Sequence, residues 1–341
     1  MLPAWRLPIY RGGRLKRIAI INQKGGVGKT TTAANLGAAL GRLGKRVLLI
    51  DLDAQANLTL HLCEEEGCDR SAFDLLVEGA GVAELLRPTS EERVTLVPAS
   101  EEMAGIEQAL SQTIGRELLL RDALAAHEEA VNKDPSLPGF DIVLIDCPPS
   151  LGVLSLNALA ASDGLLIPLQ TEFFALQGMT QLLEVVDLVQ SRLNPRLEVL
   201  GIVPCMVDQR TNLTTEVLAE IERHFGSLLF KTRIRKNVKL AEAPSFGKSI
   251  FAYAPDSNGA LDYAALAHEL LLGRRKETPE WKVPAEPVEP ADSAEPAEHA
   301  RPTEPGRPAG PAELVEPKVP SRLPAPIDPP PLEREEGQNG V

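Results

Sequence analysis

Between Arg17 and Val203 the chain returns again and again to short runs of Ile, Leu and Val: Arg17–Asn22, Arg46–Asp51, Val94–Pro98, Asp141–Asp146, Gly164–Leu169 and Leu197–Val203. Each is too short for a helix of ordinary length and too continuously apolar for a strand wetted on one face, so each reads as a buried strand. Between them, apolar residues fall at helical spacing over Thr30–Leu43, Ala104–Val131, Val153–Ala161, Leu176–Leu193 and Asn212–Phe225. A further strand is expected near Leu228–Phe230. Buried runs alternating with helices predict a mostly parallel sheet covered on both faces. The expected fold class is therefore α/β, doubly wound.

Composition limits the extent of that fold. The pattern runs out near Gly273, and beyond Pro279 lie more than half of the chain's 29 prolines, mixed with Glu and Ala and almost without aromatic residues. Such a segment cannot bury enough apolar surface to offset the entropy of ordering it. The expected organisation is one domain over 17–275 and a disordered Pro/Glu-rich tail over 276–341. Residues 1–16 carry Arg6, Arg11, Arg14 and Lys16 around two prolines and a Gly-Gly pair. They read as a flexible basic arm, or equally as a translation start placed too far upstream or a frayed end.

The chain has 341 residues, 43% of them hydrophobic, enough for one substantial core. No run approaches the roughly 18 apolar residues that span a bilayer, and the N-terminus lacks the apolar centre of a signal peptide, so a cytoplasmic location is expected. Cys63, Cys68, Cys147 and Cys205 are too few for a disulfide framework and read as reduced thiols. Cys63 and Cys68 have no second Cys/His pair to complete a metal site. The formal net charge of -13 argues against nucleic acid as a partner. Charge acts by patch, however, and Lys and Arg concentrate between Lys231 and Lys248 while Glu concentrates in the tail.

The strongest chemical feature is the glycine-rich link between the first strand and the first helix, Lys24-Gly25-Gly26-Val27-Gly28-Lys29-Thr30-Thr31. Successive backbone N–H groups in such a loop converge on phosphate, and the helix that follows presents its positive end. Lys29 is expected to reach the β- and γ-phosphates of a nucleotide, and the Thr30 hydroxyl to ligate Mg²⁺. Asp146 ends a buried apolar strand, where a carboxylate is costly unless a cation or hydrogen bonds compensate it; Mg²⁺ would do so. Asp51 and Asp53 flank Leu52 and so share one face of an extended segment.

Gln23 stands where the plain phosphate-loop pattern has Gly, and the additional Lys24 is the informative departure. Lys24–Thr31 resembles the deviant Walker A motif of the ParA/MinD superfamily. The resemblance extends through Leu49-Ile50-Asp51-Leu52-Asp53-Ala54-Gln55-Ala56-Asn57, Leu144-Ile145-Asp146-Cys147-Pro148-Pro149-Ser150, Thr171–Gly178 and Asn237–Lys248. Ordered motifs from about Arg17 to Leu272 make it a resemblance to the ParA/Soj partitioning ATPases in particular. It implies a P-loop NTPase fold, ATP and Mg²⁺ as cofactors, and nucleotide binding by Lys24, Gly25, Gly26, Val27, Gly28, Lys29, Thr30 and Thr31. It also implies catalytic roles for Lys24, Lys29 and Asp53. Lys24 would cross a dimer interface to the partner's nucleotide, and Asp53 would orient the attacking water. Thr30, Asp51 and Asp146 are the expected metal residues, with a helix or loop cap as the alternative for Asp51. Three small departures, Ala54 for Pro, Ala56 for Gly and Cys147 for Ala, should leave phosphate chemistry intact.

A basic cluster is as often a solvated face as a binding site. The resemblance assigns the regions of Arg210, Arg235, Lys236 and Lys239 to non-specific binding of double-stranded DNA by an ATP-bound homodimer. The implied activity is weak ATP hydrolysis, stimulated by a ParB-type protein, that segregates a chromosome or plasmid from a nucleoid-associated, cytoplasmic pool. The alternative is an orphan relative that positions a protein cargo. A membrane-cycling MinD-like role lacks the amphipathic C-terminal helix it requires. A metabolic P-loop enzyme lacks a visible substrate motif.

Overall fold

The structure, a computed structural model, describes residues 16–63, 70–171, 175–208, 210 and 212–272. The tail over 276–341 and all but the last residue of the arm over 1–16 lie outside them. The first half of the chain runs β1 (Lys16–Ile20), α1 (Lys29–Arg42), β2 (Val47–Asp51), α2 (Asn57–Leu62), α3 (Val82–Leu85), β3 (Arg87–Pro88), β4 (Val94–Val97), α4 (Ile106–Ala109) and α5 (Leu119–Lys133). The second runs β5 (Ile142–Asp146), α6 (Val153–Ala161), β6 (Gly164–Gln170), α7 (Ala175–Arg192), β7 (Glu198–Cys205), α8 (Asn212–Phe225), α9 (Val238–Glu242), α10 (Ile250–Tyr253) and α11 (Asn258–Leu272).

The strands form one seven-stranded sheet in the order β3-β4-β2-β5-β1-β6-β7. Every ladder is parallel except that of the two-residue edge strand β3. Side chains alternate across the sheet as the pleat requires. Ile18 and Ile20 join the apolar layer of α1 and α11, with Leu36, Leu40, Tyr263 and Leu266, while Ala19 and Ile21 join the opposite layer, with Leu120, Leu124, Val153 and Leu183. Both faces are thus covered, which is why the strands read as unbroken apolar runs. The doubly wound expectation holds.

Two expected elements differ. The long helix over Ala104–Val131 is broken: α4 ends at Ala109 and α5 starts at Leu119, with Gly115 between them in left-handed backbone at φ 71°. The break is held from outside, because Asn157 of α6 accepts the Leu120 N–H at 3.0 Å and donates to the Arg116 carbonyl at 2.7 Å. Leu228–Phe230 is not a strand. It makes one isolated bridge, Leu229 to Ile202, and the Glu269 carboxylate of α11 then takes the Lys231 and Thr232 amides at 2.8 Å each, leading the chain away from the sheet.

Parallel winding brings the ends of β1, β2 and β5 together. Asp146 is the register partner of both Asp51 and Ile20, and the chain leaves β1 towards β2 on one side but reaches β6 on the other. A crevice at such a reversal, outside the carboxyl ends of the strands, is where open α/β sheets bind ligands.

Candidate nucleotide site

The loop after β1 is fastened before it turns. Asn22 is buried, donates its Nδ2 to the Pro168 carbonyl on β6 at 2.8 Å and accepts the Lys24 N–H through Oδ1 at 3.0 Å. Gly26 and Gly28 follow in left-handed backbone, φ 74° and 92°, which a side chain would strain. Val27 between them is buried, pinning the loop, whereas Lys24, Gly25 and Gly26 are exposed at its crown. α1 then begins at Lys29, with the Thr32 N–H donating to the Gly28 carbonyl at 2.9 Å. The outcome is a cradle of backbone amides at the positive end of a 14-residue helix.

Lys29 is buried and curls back so that Nζ donates to the Lys24 carbonyl at 3.3 Å. Burial pulls its pKa below the usual lysine value, against the attraction of Asp146 and then Asp53. Thr30 and Thr31 are half-buried at the start of α1. A cavity of about 240 Å³ opens beside the loop, lined by Asn22, Gln23, Lys24, Val27, Leu169, Gln170 and Gly178.

The acids behave differently from one another. Asp51 is fully buried, yet its Oδ2 accepts the Thr59 N–H at 2.9 Å and the Thr59 hydroxyl at 2.8 Å, while Oδ1 accepts the Asp53 N–H at 3.1 Å. It therefore caps α2 from outside, the alternative role that the sequence had left open. Burial pushes its pKa up to about 6 although the Thr59 and Asp53 bonds oppose the shift. Asp53 is half-buried and folds its Oδ1 onto the Gln55 N–H at 3.0 Å.

Asp146 is also fully buried, and neither of its carboxylate oxygens has a hydrogen-bond partner. Burial, then the neighbouring Asp51, push its pKa well up; the Thr30 side chain and Lys29 pull the other way. An orphaned buried carboxylate beside a hydroxyl is a hard oxygen donor set of the kind Mg²⁺ takes. Among the described residues no three His, Cys, Asp or Glu side chains converge into a metal cage.

Cys147 is a packed thiol, its Sγ 3.8 Å from the Ile145 carbonyl and its pKa raised by burial. Among the described residues Cys63, Cys147 and Cys205 form no disulfide, and Cys68 lies outside them, as do Glu172–Phe174 of the Thr171–Gly178 motif.

The expected DNA-facing residues are scattered in character. Arg210 lies exposed in the turn before α8, and Lys236 is exposed. Lys239 pairs with Glu242 at 2.9 Å and sits over the Tyr253 ring at 5.6 Å. Arg235 is committed to the fold: its guanidinium forks onto Asp262 of α11 at 2.6 to 3.1 Å, and its N–H donates to the same carboxylate at 2.9 Å. Asn22 and Thr59, which hold the loop and Asp51, were not singled out from the sequence. Asn22 sits at the strand-to-turn junction where Asn commonly bonds its own backbone two residues on. Nothing in spacing marks Thr59.

A family model described as an AAA domain matches residues 15–199. The chain is 47% identical over 256 residues to the sporulation initiation inhibitor protein Soj of Bacillus subtilis (strain 168), covering 75% of this chain and 98% of that protein. It is 43% identical over 262 residues to the chromosome partitioning protein ParA of Caulobacter vibrioides (strain NA1000 / CB15N), covering 76% and 96%. Among solved structures, cobyrinic acid a,c-diamide synthase from Mycobacterium smegmatis with bound ATP analog and magnesium is similar at 37% identity and a TM-score of 0.64, over 76% of this chain and 95% of that one. With a cradle, a buried lysine and an unpartnered strand-end carboxylate in one crevice, and relatives matched over nearly their whole length, the chain belongs to the Soj/ParA family of partitioning ATPases.

Proposed function

We propose that this ATPase is an ATP-dependent dimerising switch that binds double-stranded DNA without sequence choice and segregates DNA cargo with a ParB-type partner. The observation that carries the nucleotide half is Asp146: a fully buried carboxylate with no hydrogen bond, beside Thr30 and Lys29, fits a Mg²⁺–ATP complex. Mg²⁺ would be held by Thr30 and Asp146, with Asp51 behind them, and supplies charge neutralisation for the phosphates. The amides of Gly25–Thr31 bind phosphate, and Lys29 exchanges its internal bond to the Lys24 carbonyl for phosphate oxygens. Lys24 is exposed at the crown and would reach a nucleotide in a second copy. Asp53, half-buried at the rim, orients water.

The DNA half rests on the exposed cations Arg210 and Lys236 with Lys239 beside them. Phosphate neutralisation by Lys and Arg gives affinity without sequence choice, and dimerisation doubles the patch. No helix among the described residues is long and apolar enough to cross a membrane. The proposed location is the cytoplasm, on the nucleoid.

Equilibrium titration with labelled ATP and fluorescence anisotropy on random-sequence duplex test the reading together. The wild type should bind ATP, and bind DNA only with it; Lys29→Ala should do neither. Asp53→Ala should bind ATP, hydrolyse it poorly and persist as a dimer. DNA binding of equal strength without ATP would break the proposed coupling.

A further inference from the structure

The loop that leaves Asp146, Cys147–Gly152, runs straight into α6. Its first end is fixed by the sheet: the Leu52 N–H donates to the Asp146 carbonyl at 3.0 Å, and the Cys147 N–H to the Ile20 carbonyl at 3.2 Å. Its far end is fixed from elsewhere. Gly152, the residue that caps α6, has no side chain to accept from the first helical amides. Glu107 of α4 supplies the acceptor, with Oε1 2.8 Å from the Val153 amide nitrogen across a separation of 46 residues. A negative group at that position also complements the positive end of the helix.

The fit depends on the glycine. A Cβ added at Gly152 would lie 2.5 Å from the same Glu107 Oε1, so the missing side chain is what admits the carboxylate. One turn further on, the Ser155 hydroxyl donates to the Ser150 carbonyl. Between the two anchors Pro148 and Pro149 remove soft torsions, and Pro149 and Ser150 are exposed at the crown. A short, stiff span with fixed ends follows any movement of either anchor.

The segment carrying Glu107 also reaches the other buried acid. Ala99 donates its N–H to Thr59 Oγ1 at 2.9 Å, and that hydroxyl donates to Asp51 at 2.8 Å. Residues 99–107 thus form a strap between the two acid-bearing strand ends, touching one through Thr59 and the other through α6.

We infer that Glu107 is a positioning residue for ATP hydrolysis: through the Val153 amide it holds the far anchor of the Cys147–Gly152 loop, and so keeps that loop in place beside Asp146 and the glycine-rich cradle. This rests on the nucleotide-site reading above. A purely structural cap would lower stability and leave turnover alone, whereas a positioning residue acts on kcat, because small misplacements around the reacting group are costly in rate.

The test uses the full chain as wild type, Glu107→Ala, Glu107→Gln, Gly152→Ala and Lys29→Ala, with thermal unfolding, affinity for a non-hydrolysable ATP analogue, kcat and KM measured for each. Glu107→Ala is expected to bind the analogue as the wild type does and to lose about tenfold in kcat, the kinetic equivalent of one lost helix cap. Glu107→Gln keeps an acceptor oxygen and should recover most of that loss. Gly152→Ala displaces the same carboxylate without altering it and should match Glu107→Ala; it also carries the test if Glu107→Ala fails to fold.

A folded Glu107→Ala with wild-type kcat overturns the inference. So does a parallel loss of kcat and analogue affinity that Gln does not rescue. Lys29→Ala separates this from the underlying reading: if it hydrolyses ATP normally the nucleotide site itself is wrong and the role of Glu107 falls with it, whereas an inert Lys29→Ala beside an unaffected Glu107→Ala removes the positioning role alone.

Discussion

Asp51 and Asp146 are register partners on adjacent parallel strands, both fully buried, and only Asp51 has hydrogen bonds to its carboxylate. The two acids therefore do different work. Asp51 ties the end of β2 to α2 through Thr59; Asp146 has no such tie, and in the proposed function a cation would satisfy it.

Replacing each by Asn should move stability in opposite directions. Asp51→Asn puts an NH₂ where one of two accepting oxygens stood, leaving part of the Thr59 or Asp53 donor set unpaired, at a cost of about 1–3 kcal/mol. Asp146→Asn removes an uncompensated buried acid and should raise the melting temperature of the metal-free protein while abolishing its further rise with Mg²⁺–ATP. Thermal unfolding in EDTA and in Mg²⁺–ATP checks both. A metal-free Asp146→Asn less stable than wild type would mean that the carboxylate has a compensating partner.

The same acids set a pH dependence. Each has a folded pKa above its unfolded value, Asp51 at about 6 and Asp146 well up, both chiefly through burial. The folded chain then holds the extra protons, so their contribution to stability is greatest at low pH and is lost as pH rises through the folded values. His61, lowered by burial, contributes with the opposite sign. The clean measurement is therefore the difference in melting temperature between wild type and Asp146→Asn, in EDTA, from pH 5 to pH 8. The wild type should fall progressively behind, and Mg²⁺–ATP should close the gap. A gap independent of pH would remove Asp146 as its source.

What could be read from the sequence follows from which interactions are local. Lys24–Thr31 folds as a loop on its own chemistry: glycines where φ is positive, then a helix start. The strands were legible because both sheet faces are covered. The break before α5, the cap on α6 and the tie between Thr59 and Ala99 were not, because Asn157 to Leu120, Glu107 to Val153 and Thr59 to Ala99 join residues 37, 46 and 40 apart. Periodicity carries no trace of a side chain that bonds another element's backbone. The ion pair of Arg235 was hidden for the same reason: its partner Asp262 lies 27 residues on, so in sequence Arg235 counts as one more cation of the cluster.

Ala56 is one place where this chain departs from its family's pattern at a measurable cost. It precedes α2 in left-handed backbone, φ 49° and ψ 30°, where the family commonly has Gly. A side chain there costs roughly 1–2 kcal/mol, partly offset by the smaller backbone entropy that Ala loses on folding. Ala56→Gly should therefore raise stability by about 0.5–1 kcal/mol, read as a higher denaturant midpoint at unchanged m-value. Ala56 is half-buried against the core, so a fall in stability would show that its methyl contact outweighs the strain.

The basic cluster can be divided by experiment because its members differ in what else they hold. Asp262 is nearly buried and receives both the guanidinium and the N–H of Arg235, so Arg235→Glu places two carboxylates together and should lower the melting temperature by several degrees. Loss of DNA binding in that variant would say little about contact with DNA. Lys236 and Arg210 are exposed, and replacing both by Glu should leave unfolding and ATP affinity unchanged while weakening binding to random duplex. Lys239→Gln should have a smaller effect, since Glu242 already shares its charge. If the two exposed cations each neutralise a phosphate, converting them to Gln should reduce the slope of log affinity against log salt by about 0.9 per residue. Anisotropy at four or more salt concentrations with ATP present measures that slope. A Lys236→Gln, Arg210→Gln protein with wild-type affinity and wild-type slope would place the DNA-binding surface elsewhere on the molecule, and the segment after Leu228 would then be a solvated face stabilised by its own ion pairs.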